Sequence, residues 1–151
     1  MNKPLLVLDT NVVLDLLHFE DVIARPILEA LQNGQVDCAV TKETLEEFRR
    51  VLTYPEFKLA PTNQAMLFDI YQSLAKTVAA VSSATELPLC SDPDDQKFLQ
   101  LAASSHAHTL VSKDRALLKL RRRCAPRFQV MTPAEAGRWL AGVNSGPVAE
   151  T

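Results

Sequence analysis

The sequence is poor in the residues that most often announce a chemistry. Its four glycines, Gly34, Gly137, Gly142 and Gly146, are too scattered to form a loop that wraps a phosphate. Its three cysteines, Cys38, Cys90 and Cys124, are odd in number and far apart, which argues against a disulfide framework and a zinc site and reads as free thiols. His18, His106 and His108 share no ligand spacing with the acids, and no serine or cysteine has a recognisable base partner. No run approaches the roughly 18 uninterrupted apolar residues of a membrane span. The first residues lack the basic segment, apolar run and small-residue cleavage site of a secretory signal, so a cytoplasmic location is expected.

What is present suits a compact core. A chain of 151 residues, 47% hydrophobic and 23% charged, is enough for one domain, expected over residues 1–142 with a frayed tail at 143–151. Strand-like and helix-like segments alternate along it, which predicts an α/β fold with a parallel sheet and helices on its faces.

The most distinctive stretch is Pro4 to Asn11, a short apolar run that stops on an acid. It reads as a strand buried on both faces, with Asp9 at the carboxyl end, where ligands bind in open α/β sheets. Helices follow at 12–18 and 22–33, the second closed by Gly34, then a strand at 36–40. Thr41 caps a helix over 42–52 whose apolar stripe is Leu45, Phe48, Val51 and Leu52. A longer helix is expected over 62–79, with Leu67, Tyr71, Leu74 and Val78 in its stripe and Met66 and Ile70 widening it. Core packing and a partner surface both fit that width. Further extended segments are expected at 80–89, 109–112 and 128–131. Thr132-Pro133-Ala134-Glu135 is a capping box that opens a helix through Trp139 and Leu140.

Four acids fall shortly after these strands. On the helix over 42–52, Glu47 lies about 110° from the centre of the stripe, against roughly 150° for Glu43 and Glu46. It can lean toward the sheet, close a capping box with Thr44, or face water. Asp92 and Pro93 read as N-cap and first helical residue, with Asp94 and Asp95 in the first turn. Asp95 shares the face of Phe98, Leu101 and Ala102 and so aims inward, where a carboxylate requires a cation, a proton or donors. Asp114 follows the fourth strand directly; capping the next helix would account for it equally well. In a parallel sheet, Asp9, Glu47, Asp95 and Asp114 converge on one edge, and their mutual repulsion is relieved by hard divalent ions. Magnesium or manganese there, as one or two ions, suits hydrolysis of a phosphodiester.

The net charge is only -2, but the basic residues are concentrated. Lys113, Arg115, Lys119, Arg121, Arg122, Arg123 and Arg127 stand against a single acid, Asp114. That is the footprint of a phosphate-binding surface, or equally of basic residues favoured at a helix end.

In this order and spacing, four motifs resemble the PIN-domain ribonucleases, especially the bacterial branch of VapC-like toxins from toxin–antitoxin pairs. They are Leu8-Asp9-Thr10-Asn11-Val12, the helix from Thr41 to Leu52 with Glu47, Asp92-Pro93-Asp94-Asp95 leading into Phe98 to Ala102, and Val111-Ser112-Lys113-Asp114. The resemblance implies a three-layer α/β/α domain around a mostly parallel twisted sheet of four or five strands. It also implies that Asp9, Glu47, Asp95 and Asp114 bind magnesium or manganese and cleave RNA. Asn11 and Ser112 would orient these acids, and Asp92 would support them from behind. The basic segment from Lys113 to Arg123 would hold the RNA backbone. An antitoxin masking the crevice, and a homodimer through the helices at 42–52 and 62–79, are implied partners. Two other readings are a non-catalytic RNA- or protein-binding module and a metal-dependent phosphatase. The second lacks its nucleophile motif, since Asp9-Thr10-Asn11 has no second acid.

Overall fold

The computed structural model describes residues 3–79 and 86–149, with side chains as far as Gly142. Five parallel strands make one sheet: β1 (Leu5–Leu8), β2 (Asp37–Val40), β3 (Lys76–Thr77), β4 (Thr109–Val111) and β5 (Gln129–Met131). Their order across the sheet is β3-β2-β1-β4-β5. From β1 the chain runs outward through β2 to β3, then crosses to the opposite side of β1 for β4 and β5. The reversal opens a crevice at the carboxyl ends of β1 and β4, the switch point at which open α/β sheets bind ligands.

Among the described residues eight helices connect and cover the strands: α1 (Thr10–Leu17), α2 (Arg25–Gln32), α3 (Lys42–Leu52), α4 (Pro61–Leu74), α5 (Gln96–Ser104), α6 (Arg115–Leu118), α7 (Arg121–Cys124) and α8 (Pro133–Ala149). Side chains of a strand point alternately to its two faces, and the cores follow that alternation. Leu6, Leu8, Cys38 and Val40 face a core closed by α1, α2, α3, α4 and α8, including Ile27, Phe48 and Leu52. Val7, Ala39, Leu110 and Val130 face the opposite core, built from Phe98, Leu99 and Leu101 of α5 with Leu117 and Cys124. The result is three layers, α/β/α. Each of the fully buried large side chains contributes about 1.5–3 kcal/mol by leaving water. The three cysteines are buried and free. Among the described residues no helix is long and apolar enough to cross a membrane.

Several boundaries differ from the sequence expectation. The helix expected over 62–79 stops at Leu74: Ala75 is extended, with φ −108° and ψ 158°, and Lys76–Thr77 pairs with β2. Val78 donates its N–H to the Val40 carbonyl at 2.8 Å and packs in the second core, away from the α4 stripe. Sheet pairing of a β-branched stretch here overrides a helical period that continued only by coincidence. A third strand lies at Lys76–Thr77; of the extended segment expected at 80–89, residues 80–85 lie outside the described residues and 86–89 are irregular. Met66 and Ile70 of α4 are exposed, so the buried stripe is narrower than expected. The single helix expected after Asp114 is two short ones, α6 and α7, and α8 runs on past Leu140 to Ala149.

Candidate active site

Asp9 is held on both sides by the elements that meet at the switch point. As the N-cap of α1, its Oδ1 accepts from the Asn11 backbone N–H at 3.1 Å. Its Oδ2 accepts from Ser112 Oγ at 2.6 Å, and its own N–H donates to the Val111 carbonyl at 3.0 Å. Ser112, fully buried at the end of β4, also accepts from the Asp114 N–H at 2.9 Å, so one hydroxyl ties two acids together. Asp114 caps α6, its Oδ1 accepting from the Ala116 N–H at 2.9 Å. Asn11 thus acts on Asp9 through its backbone; its side chain is exposed at the crevice.

The third acid arrives from the other side. Asp92 accepts from the Asp94 N–H and caps a single 3-10 turn over Pro93–Asp95, which delivers Asp95 inward and leaves Asp94 exposed. Asp95 is buried, and its Oδ2 accepts no hydrogen bond. One carboxylate oxygen from each of Asp9, Asp95 and Asp114 lies within 4.8 Å of the others.

Burial and crowding set their protonation. Burial pushes Asp9 up, opposed by the donors Ser112 and Asn11. Burial pushes Asp95 up to about 8, aided by its hydrogen bond with Asp114 and by the charges of Asp9, Asp114 and Asp92. Asp114 is lowered, first by the bond with Asp95 and then by the Ala116 N–H. The two acids share one proton near neutrality, the arrangement that like charges at close range adopt when no cation separates them.

Glu47 lines the same crevice, a cavity of about 210 Å³, but stands outside the group of three. Its Oε2 accepts from Thr10 Oγ1 and its Oε1 is paired with Lys97, both members of the pair being largely buried. The capping box of α3 is made by Thr41 and Thr44, so Glu47 neither closes it nor faces open water. Thr10 and Lys97 were not singled out from the sequence. Lys97 did leave a signal, a cation in the first turns of a helix where the dipole disfavours it. An acid also missed, Asp15, is buried on the apolar helix α1 and pairs with Lys113 at 2.6 Å.

The basic segment is divided by these pairings. Lys113 is engaged with Asp15, Arg121 with Glu135 at 3.0 Å, and Arg127 with Glu86. Arg115, Lys119, Arg122 and Arg123 are exposed. Arg121 and Arg122 line a groove of about 420 Å³ beside β5 together with Arg138, which lies outside the basic cluster of the sequence. His106 and His108 lie away from the acids; His108 stacks on Trp139 at 4.4 Å. His18 packs against Phe19 and Phe57.

Three comparisons with known proteins bear on this arrangement. No curated protein matches the chain. Among solved structures, the chain is similar to one from VapBC2 of Rickettsia felis, bound to a DNA fragment from their promoter. The two share 16% identity over 85% of this chain and 98% of that one, with a TM-score of 0.59, a likeness of fold. Against family models, residues 5–116 match the PIN domain, a span that contains β1 to β4 and all four acids from Asp9 to Asp114. The match covers most of the chain, and the chain belongs to the PIN-domain family.

Proposed function

We propose that this protein is a metal-dependent endoribonuclease and the toxin of a toxin–antitoxin pair. The observation that carries the reading is Asp95 Oδ2, a buried carboxylate oxygen without a donor, facing two further acids at the switch point. Three hard oxygen donors so placed fit magnesium or manganese, and Asp9, Asp95 and Asp114 would hold one or two such ions. When bound, the ions supply an activated water and offset the charge that develops on the phosphodiester.

The protein's own groups prepare that site. Ser112 and the Asn11 N–H favour the ionised form of Asp9 against the effect of burial and fix its direction. Asp95 shares a proton with Asp114, and would give it up to solvent where a cation were held by these carboxylates. Glu47, while paired with Lys97, joins the wall of α3 to that of α5; exchange of this partner would free it as a ligand or as a proton acceptor. The exposed Arg115, Lys119, Arg122 and Arg123 supply backbone contacts that are indifferent to sequence. Attack by water, with the ribose oxygen as leaving group, gives a 5′-phosphate and a 3′-hydroxyl.

The toxin reading is supported by the similar Rickettsia felis chain, which comes from VapBC2. A homodimer through α3 and α4 is supported by Met66 and Ile70, one turn apart and 53% and 38% exposed. The deciding test is cleavage of a labelled, unstructured RNA with manganese or magnesium, beside EDTA and an Asp95→Asn variant. Cutting that disappears in both controls is expected. Absence of cutting together with absence of ion binding refutes the nuclease. A neighbouring gene product that neither binds nor inhibits the protein removes the toxin label alone.

A further inference from the structure

The crevice has an aromatic wall as well as an acidic one. Tyr54 borders the same cavity as Asp9, Asp94 and Asp114, and is 39% exposed. It stands just beyond the end of α3, where its N–H donates to the Val51 carbonyl at 3.0 Å. The 3-10 turn over Pro55–Phe57 then fixes it: the Phe57 N–H donates to the Tyr54 carbonyl, the Lys58 N–H donates to that of Pro55, and Lys58 turns the chain away at φ +52°. The Phe57 ring lies behind the Tyr54 ring, 6.4 Å between centroids and 9° from parallel. Phe57 is itself backed by Phe19 at 6.0 Å and His18 at 5.9 Å.

A tyrosine set beside Phe57, which itself packs on two further rings, and left open at a polar crevice is not explained by core packing. Its ring presents a flat, pre-set surface at little cost in conformational freedom, as base-stacking residues in single-strand-binding proteins do. Arg50, one turn earlier on α3, lines the same crevice, is exposed, and has no acidic partner among the described residues. A cation for a phosphate, a ring for a base and a cluster of acids for the reaction thus share a cavity of about 210 Å³, small enough for one nucleotide to touch all three.

Resting on the nuclease reading, we infer that Tyr54 is the stacking platform for an unpaired base next to the cleaved phosphate, with Arg50 holding a neighbouring phosphate. The substrate class is single-stranded RNA, because a base within a duplex must first be unpaired and unstacked, at a free-energy cost, before it can lie on Tyr54.

The test compares wild type, Tyr54→Ala and Tyr54→Phe in manganese on single-stranded RNA, on the same sequence as a duplex, and on RNAs with one base removed beside the cut. Tyr54→Ala is expected to raise KM about tenfold, the effect of one lost stack, while Tyr54→Phe stays near wild type. Removing the stacked base should cost the wild type a similar factor and Tyr54→Ala almost nothing, whereas a merely structural role would make the two losses multiply. Binding of a 2-aminopurine oligonucleotide in calcium gives a readout apart from turnover: quenching by wild type and Tyr54→Phe is expected, and its loss in Tyr54→Ala. Unchanged KM and quenching in Tyr54→Ala, or equal cutting of duplex, overturns the platform while leaving the nuclease intact. The same holds if Tyr54→Ala cuts normally but no longer binds a protein partner, which would make the ring a protein contact. A wild type that neither binds nor cuts any RNA overturns both readings.

Discussion

Replacing Asp95 with Asn should make the protein more stable once metal is removed, although it destroys the proposed site. Unfolded, Asp95 ionises near the ordinary value of 3.8; folded, it keeps its proton up to about 8. Between those values the folded state binds more protons than the unfolded one, so stability falls as pH rises, and the loss is complete above about 8. At about 1.4 kcal/mol for each tenfold change, the interval bounds the loss near 6 kcal/mol. The lowered value of Asp114 returns part of this, since the two share the proton, and water in the open crevice screens more. On the order of 2 kcal/mol remains, or roughly 4–8 °C in Tm for a chain of this size. Asn has no charge to bury, and its amide can donate to Asp114 where the shared proton was. Thermal unfolding in EDTA at about pH 4.5 and about pH 8.5 checks the effect, the Asn variant gaining on the wild type as pH rises. In excess manganese the order should reverse, since binding at a hundredfold over Kd adds about 2.7 kcal/mol to the wild type and little to the variant. If Asp95→Asn were no more stable than wild type in EDTA at the higher pH, Asp95 would not be a burdened acid and the case for a metal site would lose its main support.

Ser112→Ala removes the hydroxyl between Asp9 and Asp114, and metal affinity, measured by calorimetry, should fall about tenfold to a hundredfold. Lys97→Met leaves Glu47 largely buried and unpaired and should cost about 3 kcal/mol in urea unfolding, most of it recovered in Lys97→Met with Glu47→Gln; additive losses would refute the pairing. Gln in place of Arg115, Lys119, Arg122 and Arg123 should weaken RNA binding without changing sequence preference. The slope of log affinity against log salt should shrink by about 0.7 for each lost phosphate contact.

The acids were legible because a parallel sheet sends every strand's carboxyl end to the same edge. Asp9 follows an apolar run directly, Asp114 stands three residues beyond the apolar end of β4, and the inward aim of Asp95 follows from its spacing to Phe98 and Leu101. What sequence could not supply were side-chain pairings made across elements. Glu47 shares the crevice with the other three acids, but nothing in the sequence foretold that Thr10, 37 residues away, and Lys97 would hold its oxygens. The basic cluster looked continuous until Asp15 and Glu135 claimed Lys113 and Arg121. The strand at Lys76–Thr77 reads as helix in the sequence because a two-residue edge strand has no periodicity of its own, and only pairing with β2 defines it.

The sheet order also sets a timetable. Ser112 and Asp9 meet across 103 positions, and β4 lies on the far side of β1 from β2 and β3. A growing chain can pair β1, β2 and β3 as they emerge, yet the hydroxyl that steadies Asp9, and Asp114 with it, arrive only at the end of β4. Closing so long a loop is among the slower steps of folding. On the proposed reading as an RNA-cutting enzyme, this postpones competence until Asp114, just beyond β4, has been made. On that reading, the ribosome's own RNA meets no assembled site while the residues before Asp114 are being joined.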